Sequence, residues 1–416
     1  MKKTKNNVIE SVAKQSLAFL TAAGLAFGLA ACSNDESSST GPNGDDEISS
    51  SSEEVLSSSS EGIQSSSSVQ NLSSSSEAAK KEPKYIGVVF DGGDYNVPEG
   101  ELRLIDKSGK ISEKSLSFYQ DSRATTYGDY VFFMEGLGTD VVYKINPDLF
   151  DKGAEKAIVW SKKLESGANP IDMSFDGEKA WVALQNADSL VQLSLTDGKL
   201  LKSIKTGNFA SEGETTPYVT DIEVSDGKLY VLMQRYINTW PVTYPKGLLA
   251  IYDASTGALQ DTIQLATKNP QKMAFVKGTL YVATLGEYND TYGTDADANR
   301  GIEKVDVKAK KSALYISGEI LGSGLSALVA EDDVAYVGLY KYYGSTLLAK
   351  VDLEKKTVTE VKGISDIGWS IALKNGVVYV GERASGKETV YSYKDGKLTE
   401  VKQPKGAQAP YSIALF

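Results

Sequence analysis

The side chains that most often carry out catalysis are scarce in this sequence. It contains no histidine, and its single cysteine is Cys32. A Ser-His-Asp triad, a His-ligated zinc site and a His-ligated haem are therefore excluded, and so are iron–sulfur clusters and thiolate chemistry away from Cys32. Carboxylates, tyrosines, five arginines and backbone groups remain. They leave room for a carboxylate-pair hydrolase, a calcium-assisted lactonase or a ligand-binding site, and neither enzyme has a motif in the sequence.

Calcium is the cofactor for which the sequence offers a candidate loop. Asp295, Asp297 and Asn299 place oxygen-bearing side chains at alternate positions, as calcium-binding loops do. The EF-hand pattern is incomplete, because Arg300 stands where Gly is needed and Asp306 stands where a bidentate Glu is expected. The segment is either a calcium loop or a solvated acidic turn.

Aromatic residues are concentrated in three segments, 235–246, 287–301 and 340–345. Exposed Tyr and Trp offer a large, rigid contact area with a polar tip, which suits a binding surface. The alternative is that these rings pack the long segments against one another. The aromatic candidates for ligand binding are Tyr236, Trp240, Tyr244, Tyr288, Tyr292, Tyr340, Tyr342 and Tyr343.

A repeated hairpin pattern predicts the elements that carry these residues. Within 217–234, two short runs of β-forming residues flank Asp226-Gly227, the signal of a tight hairpin. A similar pattern, with an aromatic residue in the second run, recurs along the chain at intervals of roughly fifty residues. The aromatic residues of the repeat are Tyr85, Tyr130, Trp181, Tyr230, Tyr281, Tyr336 and Tyr379.

Seven repeats of about 48 residues, each long enough for four short strands, predict an all-β fold: a seven-bladed β-propeller of antiparallel blades over 84–416. The first repeat lacks its first strand. The C-terminal segment Pro410-Tyr411-Ser412-Ile413-Ala414-Leu415-Phe416 has the pattern of such a strand. We therefore expect the C-terminal strand to complete the first blade and close the ring, which removes the open sheet edges.

In this fold the long segments fall between the second and third strands of blades 4 to 6. They should share one face with the polar residues that end the second strands, around the mouth of the central channel. Those polar residues are either ligand-binding groups or the ordinary lining of a solvated channel mouth. The polar candidates for ligand binding are Glu135, Gln185, Gln234, Arg235, Glu287, Glu382 and Arg383.

The stretch from Ile251 to Gly257 resembles the YVTN and quinoprotein-like propeller repeats, whose third strand ends in Asp and turns through Thr-Gly. The matching residues are Asp253, Thr256 and Gly257. The resemblance implies the propeller scaffold. Where quinoproteins usually place a docking Trp after this turn, the chain has Asp261, so a quinone cofactor is not implied.

The N-terminus resembles that of a bacterial lipoprotein. Lys2, Lys3 and Lys5 stand at the start of the chain, an apolar run extends from Leu17 to Leu29, and Leu29-Ala30-Ala31-Cys32 resembles a lipobox. The resemblance implies a signal peptide over 1–31, acylation (palmitate among the lipids) of Cys32, and anchoring in a Gram-negative envelope. Ser33 follows the cysteine where Asp would mark inner-membrane retention, which favours the outer membrane or the cell surface.

Residues 32–83 are dominated by serine tracts and predict a disordered tether, because they cannot bury enough apolar surface to offset ordering. The tracts resemble linkers in surface proteins of fibre-degrading gut bacteria.

The net charge of −11 argues against a nucleic-acid partner. We expect a monomeric, lipid-anchored propeller that is not an enzyme and that binds a small molecule, a glycan or an envelope protein through the face bearing the long loops. The alternatives are a His-free hydrolase or lactonase, with calcium as the candidate metal, and an accessory subunit of a nutrient-uptake system.

Overall fold

The computed structural model describes residues 84–91, 100–119, 121–136, 138–239, 242–405 and 408–416. The predicted signal peptide, Cys32, the serine tracts and Trp240 lie outside the described residues, so the expectations attached to them stay predictions. None of the helices in the described ranges is long and apolar enough to cross a membrane.

Seven four-stranded antiparallel sheets form the seven blades of a β-propeller, which confirms the predicted fold. Strands are given from the innermost to the outermost. Blades 1 to 3 consist of β28 (Pro410–Leu415), β1 (Tyr85–Asp91), β2 (Gly100–Asp106) and β3 (Leu116–Phe118); β4 (Ser122–Tyr127), β5 (Tyr130–Glu135), β6 (Val141–Ile145) and β7 (Ile158–Lys163); β8 (Pro170–Asp176), β9 (Lys179–Leu184), β10 (Ser189–Ser194) and β11 (Leu200–Lys205).

The remaining four blades follow the same order along the chain. Blades 4 to 7 consist of β12 (Val219–Ser225), β13 (Lys228–Met233), β14 (Lys246–Asp253) and β15 (Leu259–Lys268); β16 (Pro270–Val276), β17 (Thr279–Thr284), β18 (Gly301–Asp306) and β19 (Lys311–Ser317); β20 (Gly324–Glu331), β21 (Val334–Tyr342), β22 (Ser345–Asp352) and β23 (Thr357–Glu360); β24 (Ile371–Lys374), β25 (Val377–Glu382), β26 (Thr389–Lys394) and β27 (Lys397–Val401).

Helical structure is confined to short turns between the strands. The described segments contain one α-helical turn, α1 (Gly318–Leu321), and three 3-10 helices over Pro147–Lys152, Ala154–Ala157 and Gly207–Phe209. The site described below is therefore built from strands and their connecting loops.

The Asp226-Gly227 hairpin forms as predicted between β12 and β13, with Ser225 paired to Lys228. Asp226 has a φ of 50° and Gly227 a φ of 71°. Two successive residues with positive φ give the twist that a two-residue hairpin turn needs, and Asp-Gly adopts this conformation at little cost.

The repeated aromatic residue occupies one structural position in five blades. Trp181, Tyr230, Tyr281, Tyr336 and Tyr379 each belong to the third residue pair from the inner hairpin turn. In blade 2 that position holds Phe132, whereas Tyr130 belongs to the first pair. Tyr85 begins β1. The repeat is therefore regular in structure even where its sequence markers are offset.

Contacts between neighbouring blades form the core. Trp181 of blade 3 is buried against residues of blade 4, and its Nε1 donates a hydrogen bond to the carbonyl of Ala254 at 3.0 Å. Buried aromatic rings contribute large apolar areas, and an indole N–H needs such a partner when buried. This agrees with a packing role for the repeated aromatic residue.

The C-terminal strand closes the ring. β28 pairs antiparallel with β1, with Ala414 opposite Val88, and the Phe416 amide donates to the Ile86 carbonyl at 3.2 Å. The first blade is thus built from both ends of the propeller segment, as the sequence predicts.

Candidate functional site

A cavity of about 390 Å³ opens at one end of the central channel, and all seven innermost strands contribute to it. Its volume lies within the usual range for small-molecule sites. The lining residues are Asp121, Arg123, Ala124, Met134, Ile171, Asp172, Gln185, Thr220, Gln234, Tyr244, Asn269, Gln271, Lys272, Tyr288, Ser326, Trp369, Ile371, Tyr411, Ser412 and Ile413.

Register shifts at the start of the innermost strands bring adjacent residues into the cavity wall. The pairing of β8, β12 and β16 with their neighbours slips by one residue at Ile171, Thr220 and Gln271. An extra residue of this kind bends the strand and redirects side chains. As a result, both Ile171 and Asp172 line the cavity, as do both Gln271 and Lys272.

The chain enters several innermost strands in a left-handed conformation. The residues before the inner strands of blades 3 and 5 are Asn169 and Asn269, with φ of 51° and 54°. In blade 4 the same place holds Tyr218 with a φ of 54°, which is unusual for a bulky residue. Its ring stacks on Tyr236 at 3.6 Å between centroids, and its hydroxyl hydrogen-bonds the Glu214 carboxylate at 3.1 Å. Tyr218 therefore anchors the loop that carries Tyr236.

Three charged residues, named here the lysine cluster, link blades 3, 4 and 5. They are Asp172, Asp221 and Lys272, each the third residue of its innermost strand. The Lys272 Nζ donates to Asp221 Oδ1 at 2.5 Å and to Asp172 Oδ2 at 3.2 Å. Backbone amides of Met273 and Ile222 complete the network, donating to Asp221 at 2.7 Å and to Asp172 at 3.3 Å. Most hydrogen-bonding capacity of the cluster is therefore used internally.

The two carboxyl groups of the lysine cluster titrate differently. Burial raises the pKa of Asp221 well above its usual range, and the nearby Asp172 charge adds to this while Lys272 opposes it. Burial also raises the pKa of Asp172, but the Lys272 ammonium and the hydrogen bonds outweigh it, so the net shift is downward. Two close carboxyls cannot both ionise easily, and of the two Asp221 holds a proton more readily than Asp172.

Glu223 lies two residues beyond Asp221 on β12. Burial, together with the Asp172 charge, raises the pKa of Glu223 to about 7. The side chain still contacts solvent, so the burial that raises its pKa is crowding by the surrounding protein and not exclusion from water. The channel therefore contains a carboxyl group that changes its charge near neutral pH.

A second set of residues, named here the arginine cluster, links blades 7, 1 and 2. It consists of Arg383, which directly follows the second strand of blade 7, Tyr411 on β28, and Asp121 and Arg123 at the start of blade 2. The Tyr411 hydroxyl donates a hydrogen bond to Asp121 Oδ1, and Arg123 Nη1 lies 3.1 Å from the same oxygen. Both guanidinium carbons lie over the Tyr411 ring, Arg123 at 4.5 Å and Arg383 at 5.1 Å from its centroid. Cations in this position are attracted by the ring face.

Amide side chains occupy the wall between blades 3 and 5. Asn269 Oδ1 accepts hydrogen bonds from Gln234 Nε2 at 2.6 Å and from Gln271 Nε2 at 2.7 Å. Gln185 Oε1 accepts one from Asn169 Nδ2 at 2.9 Å. Within the described residues, the Oε1 atoms of Gln234 and Gln271 and the Nε2 of Gln185 have no partner. The wall therefore presents both acceptors and donors to a ligand.

Three of the aromatic residues that line the cavity are Tyr244, Tyr288 and Trp369. The ring of Tyr244 lies 6.3 Å from that of Tyr288, and Tyr288 lies 5.8 Å from Tyr340, both in edge-on geometry. Tyr236 extends the row, 5.8 Å from Tyr244. Tyr236, Tyr244, Tyr288 and Tyr340 thus form a row of ring contacts between the predicted long segments. These contacts pack the loops against one another.

The other aromatic candidates do not line the cavity. Tyr340 is buried, and its hydroxyl donates to the Tyr292 carbonyl at 3.2 Å. Tyr292 is exposed, and so are Tyr342 and Tyr343, by 57% and 48%. The predicted loop over 340–345 is instead an extension of β21 and β22, closed by a turn between Tyr342 and Ser345. This ribbon projects its rings away from the cavity.

The polar candidates divide in the same way. Gln185 and Gln234 line the cavity. Glu135 and Glu382 are instead buried and accept hydrogen bonds from neighbouring loops. Glu135 accepts hydrogen bonds from the Tyr119 amide and the Tyr143 hydroxyl, at 2.9 and 3.1 Å.

The remaining polar candidates also make local contacts. Glu382 accepts hydrogen bonds from the amides of Ser365, Asp366 and Ala384. Glu287 pairs with Lys268 at 2.8 Å, and Arg235 Nε donates to the Phe209 carbonyl at 2.8 Å.

The candidate calcium loop is organised by an arginine. Arg300 Nε and Nη2 donate to the two carboxylate oxygens of Asp297 at 3.0 and 2.9 Å. Asp295 accepts a hydrogen bond from Asn289 Nδ2, and the Asn299 amide donates to Asp297. Among the described residues, no group of three or more Asp, Glu, His or Cys side chains is arranged to hold a metal ion. A cation in this loop would compete with the Arg300 guanidinium for Asp297.

Sequence reasoning missed most of the cavity wall. Arg123, Asp172, Gln271 and Lys272 line the cavity from innermost strands, and the buried Asp221 supports them from another, whereas the predicted site residues lie in loops and at the ends of second strands. One signal in the sequence marks these residues. Asn-Pro occurs at 169–170 and again at 269–270, and in each case a charged residue, Asp172 or Lys272, stands two positions after the proline. Charges at matching places in predicted inner strands mark the wall of the channel.

Comparisons with solved structures agree with the fold. The chain is similar to a Bacteroides uniformis protein proposed to be a 6-phosphogluconolactonase, with a TM-score of 0.54 and 12% identity over 79% of this chain and 99% of that one. It also resembles AztD from Citrobacter koseri (TM-score 0.48, 14% identity, 80% and 97% covered). A third likeness is to the dihydro-heme d1 dehydrogenase NirN (TM-score 0.48, 14% identity, 80% and 75% covered). No family model and no curated protein matches the sequence.

Proposed function

We propose that the protein is a binding module that takes a small polyhydroxylated ligand, such as a monosaccharide or a short oligosaccharide, in the cavity at the channel mouth. The observation that carries this proposal is the amide wall, which is formed by Gln185, Gln234, Asn269 and Gln271. It shares the cavity with the rings of Tyr244, Tyr288 and Trp369.

Amide side chains suit vicinal hydroxyl groups. Each sugar hydroxyl both donates and accepts a hydrogen bond, and the amide wall offers acceptors on Gln234 and Gln271 and donors on Gln185. The Asn269 hydrogen bonds hold two of these amides in fixed positions. Fixed partners lower the entropic cost of binding, because fewer rotamers are lost when the ligand arrives.

The aromatic rings complete the match. Tyr244, Tyr288 and Trp369 line the same cavity and present flat apolar faces, against which the C–H groups of a sugar ring can pack. Ring contacts between Tyr244 and Tyr288 support these faces.

The carboxylates of the cavity favour binding over hydrolysis by a carboxylate pair. Asp172 and Asp221 are engaged by Lys272 and by backbone amides, and Asp121 is engaged by Tyr411 and Arg123. A pair that performs hydrolysis needs one carboxyl free to protonate a leaving group and the other free to act as nucleophile or base.

The test is a binding screen on the full chain by calorimetry and thermal shift, with glucose, galactose, mannose, their uronic acids and disaccharides as probes. Gln271→Ala and Tyr288→Ala should each weaken binding of the best probe by about tenfold, since each removes a direct contact. Tyr343→Ala is the matched control, because Tyr343 is an exposed tyrosine that does not line the cavity. Absence of binding to every probe, or equal losses in all three variants, would overturn the proposal.

We also propose that the module is anchored in the outer membrane or at the cell surface through acylated Cys32, with the serine-rich segment as a tether. The support is the lipobox-like Leu29-Ala30-Ala31-Cys32 followed by Ser33. Cys32→Ala should abolish lipid labelling and move the protein out of the outer-membrane fraction. An unlabelled parent protein with unchanged fractionation would contradict the anchor.

A further inference from the structure

Arg383 differs from the other four arginines in its polar contacts. The guanidinium group of each of the other four donates a hydrogen bond to a carboxylate or a carbonyl, as in the Arg103 pair with Glu101 and the Arg300 pair with Asp297. Among the described residues, no side-chain or backbone acceptor is bound to the guanidinium of Arg383. The hydrogen-bonding capacity of this guanidinium is therefore unused by the described part of the protein.

The position of this guanidinium is nevertheless fixed. Its carbon lies 5.1 Å from the centroid of the Tyr411 ring, and the Arg383 backbone amide donates to the Asp366 carbonyl at 2.7 Å. Gly368 makes room for it: a Cβ at Gly368 would lie 2.3 Å from Arg383 Nη1. Gly368 also has a φ of 53°, so a larger residue there would be strained as well as obstructing. The guanidinium is thus positioned by its cation–π contact with Tyr411 and by the close approach of Gly368, and its own N–H groups make no hydrogen bond within the described residues.

The surrounding charges leave an excess of positive charge. The arginine cluster contains two guanidinium groups and one carboxylate, and that carboxylate, Asp121, already pairs with Arg123 at 3.1 Å. Three acidic residues lie in the loops next to Arg383, namely Asp366, Glu382 and Glu388, and each accepts hydrogen bonds from backbone amides. Removing a guanidinium from water without pairing it with an anion costs free energy. A ligand that carries an anionic group would offset this cost.

Arg383 is also next to the cavity. Tyr411, whose ring it covers, lines the cavity, and Trp369 directly follows Gly368 and lines it too. A ligand seated between the amide wall and the Trp369 ring would bring one end within reach of Arg383.

We propose that Arg383 binds a carboxylate or phosphate group of the ligand, so that the site takes an acidic sugar, either a uronic acid or a sugar phosphate. This inference rests on the proposed sugar-binding function. The planar fork of Arg accepts a carboxylate or a phosphate through two parallel hydrogen bonds, and such charge-assisted bonds are stronger than neutral ones. The hydroxyl groups of the same sugar face the amide wall.

The experiment uses the full chain and three matched probe sets: the neutral hexose, the uronic acid and the hexose 6-phosphate in the gluco, galacto and manno configurations. Within one configuration, the acidic probe should bind at least about tenfold more tightly than the neutral one at low salt. Whether the uronic acid or the phosphate is preferred identifies the anion.

Variants then assign the preference to Arg383. Arg383→Gln should weaken the acidic probe at least about tenfold and leave the neutral probe unchanged, and Arg383→Lys should restore part of the loss because it keeps the charge without the fork. Lys387→Gln is the matched control. Lys387 is an exposed cation of the same loop, which donates to Ser365 Oγ at 3.1 Å, and its loss should change neither affinity.

The outcomes separate the two proposals. Equal binding of neutral and acidic sugars, or no effect of Arg383→Gln, overturns the role of Arg383 and leaves sugar binding in place. Failure of all nine probes overturns the role of Arg383 in binding an acidic monosaccharide, and failure of the disaccharides as well overturns both proposals. A loss in Lys387→Gln equal to that in Arg383→Gln would show a general charge effect and would also overturn the specific contact.

Discussion

The lysine cluster and the arginine cluster occupy opposite sectors of the same channel, yet they differ in how their charges are satisfied. Each links three consecutive blades. In the lysine cluster, two carboxyls share one ammonium, and backbone amides donate further hydrogen bonds to them. In the arginine cluster, two guanidinium groups share one carboxylate and one tyrosine ring, and Arg383 has no anion.

This difference indicates different roles. A cluster that satisfies its own hydrogen bonds stabilises the junction of the blades and gives a ligand little to bind. A cluster with unused donors contributes less to stability and more to recognition. We therefore expect the lysine cluster to stabilise the junction of blades 3 to 5, and we expect Arg383 of the arginine cluster to be the charged group that is open to a ligand.

The largest effect is expected from removing the strand on which the arginine cluster depends. Deletion of Ser412 to Phe416 removes most of β28 and exposes the edge of β1, so cooperative unfolding should be lost. Deletion of residues 49–76, which come before the first strand in the sequence, should leave the thermal midpoint within about 1 °C of the parent. Circular dichroism melts measure both. Equal tolerance of the two deletions would contradict closure by β28.

The next effect separates the two clusters directly. Lys272→Met leaves two carboxyls without a cation and should lower the free energy of unfolding by about 2 kcal/mol; the cost is below that of a fully buried pair because 38% of the Lys272 side chain is exposed. Arg383→Met should change stability by less than about 0.5 kcal/mol, since it breaks no hydrogen bond. Urea denaturation at pH 7 gives both values.

A compensated variant serves as the control for Lys272. The triple variant Lys272→Met, Asp172→Asn, Asp221→Asn removes the unpaired charges and should recover part of the loss. If Lys272→Met and Arg383→Met prove equally destabilising, the assignment of one cluster to structure and the other to binding is wrong.

The smallest effect concerns pH. The pKa of Glu223 is raised to about 7 in the folded protein, above its value in the unfolded chain, so the folded state binds more protons. Stability should therefore fall as the pH rises from about 4.5 to 7 and then level off. Asp221, whose pKa is also raised, contributes in the same direction. Glu223→Gln should flatten the decline measured by urea denaturation, leaving the Asp221 part. A variant with an unchanged pH profile would show that Glu223 is not responsible.

The fold was largely predictable because its signals are local and repeated. Each signal can be read from residues close together in the sequence: the Asp226-Gly227 turn, the recurring aromatic residue and the strand-like segment at 410–416. The sevenfold repetition makes the prediction stronger than any one of them alone. The candidate site was predicted only in part. Tyr244, Tyr288, Gln185 and Gln234 were named and line the cavity. Tyr342 and Tyr343 were named with them, but an extended hairpin carries their rings away from it.

The sequence by itself determined that no histidine or second cysteine can take part in any chemistry, and that the chain forms seven blades closed by its end. Only the tertiary structure decided which polar groups meet. Asp172, Asp221 and Lys272 lie about fifty residues apart in sequence, and only the ring of blades brings them together. Whether a side chain faces the channel depends on a one-residue shift of register at the start of each innermost strand. Such shifts follow from packing against the neighbouring blades, which local sequence patterns do not encode.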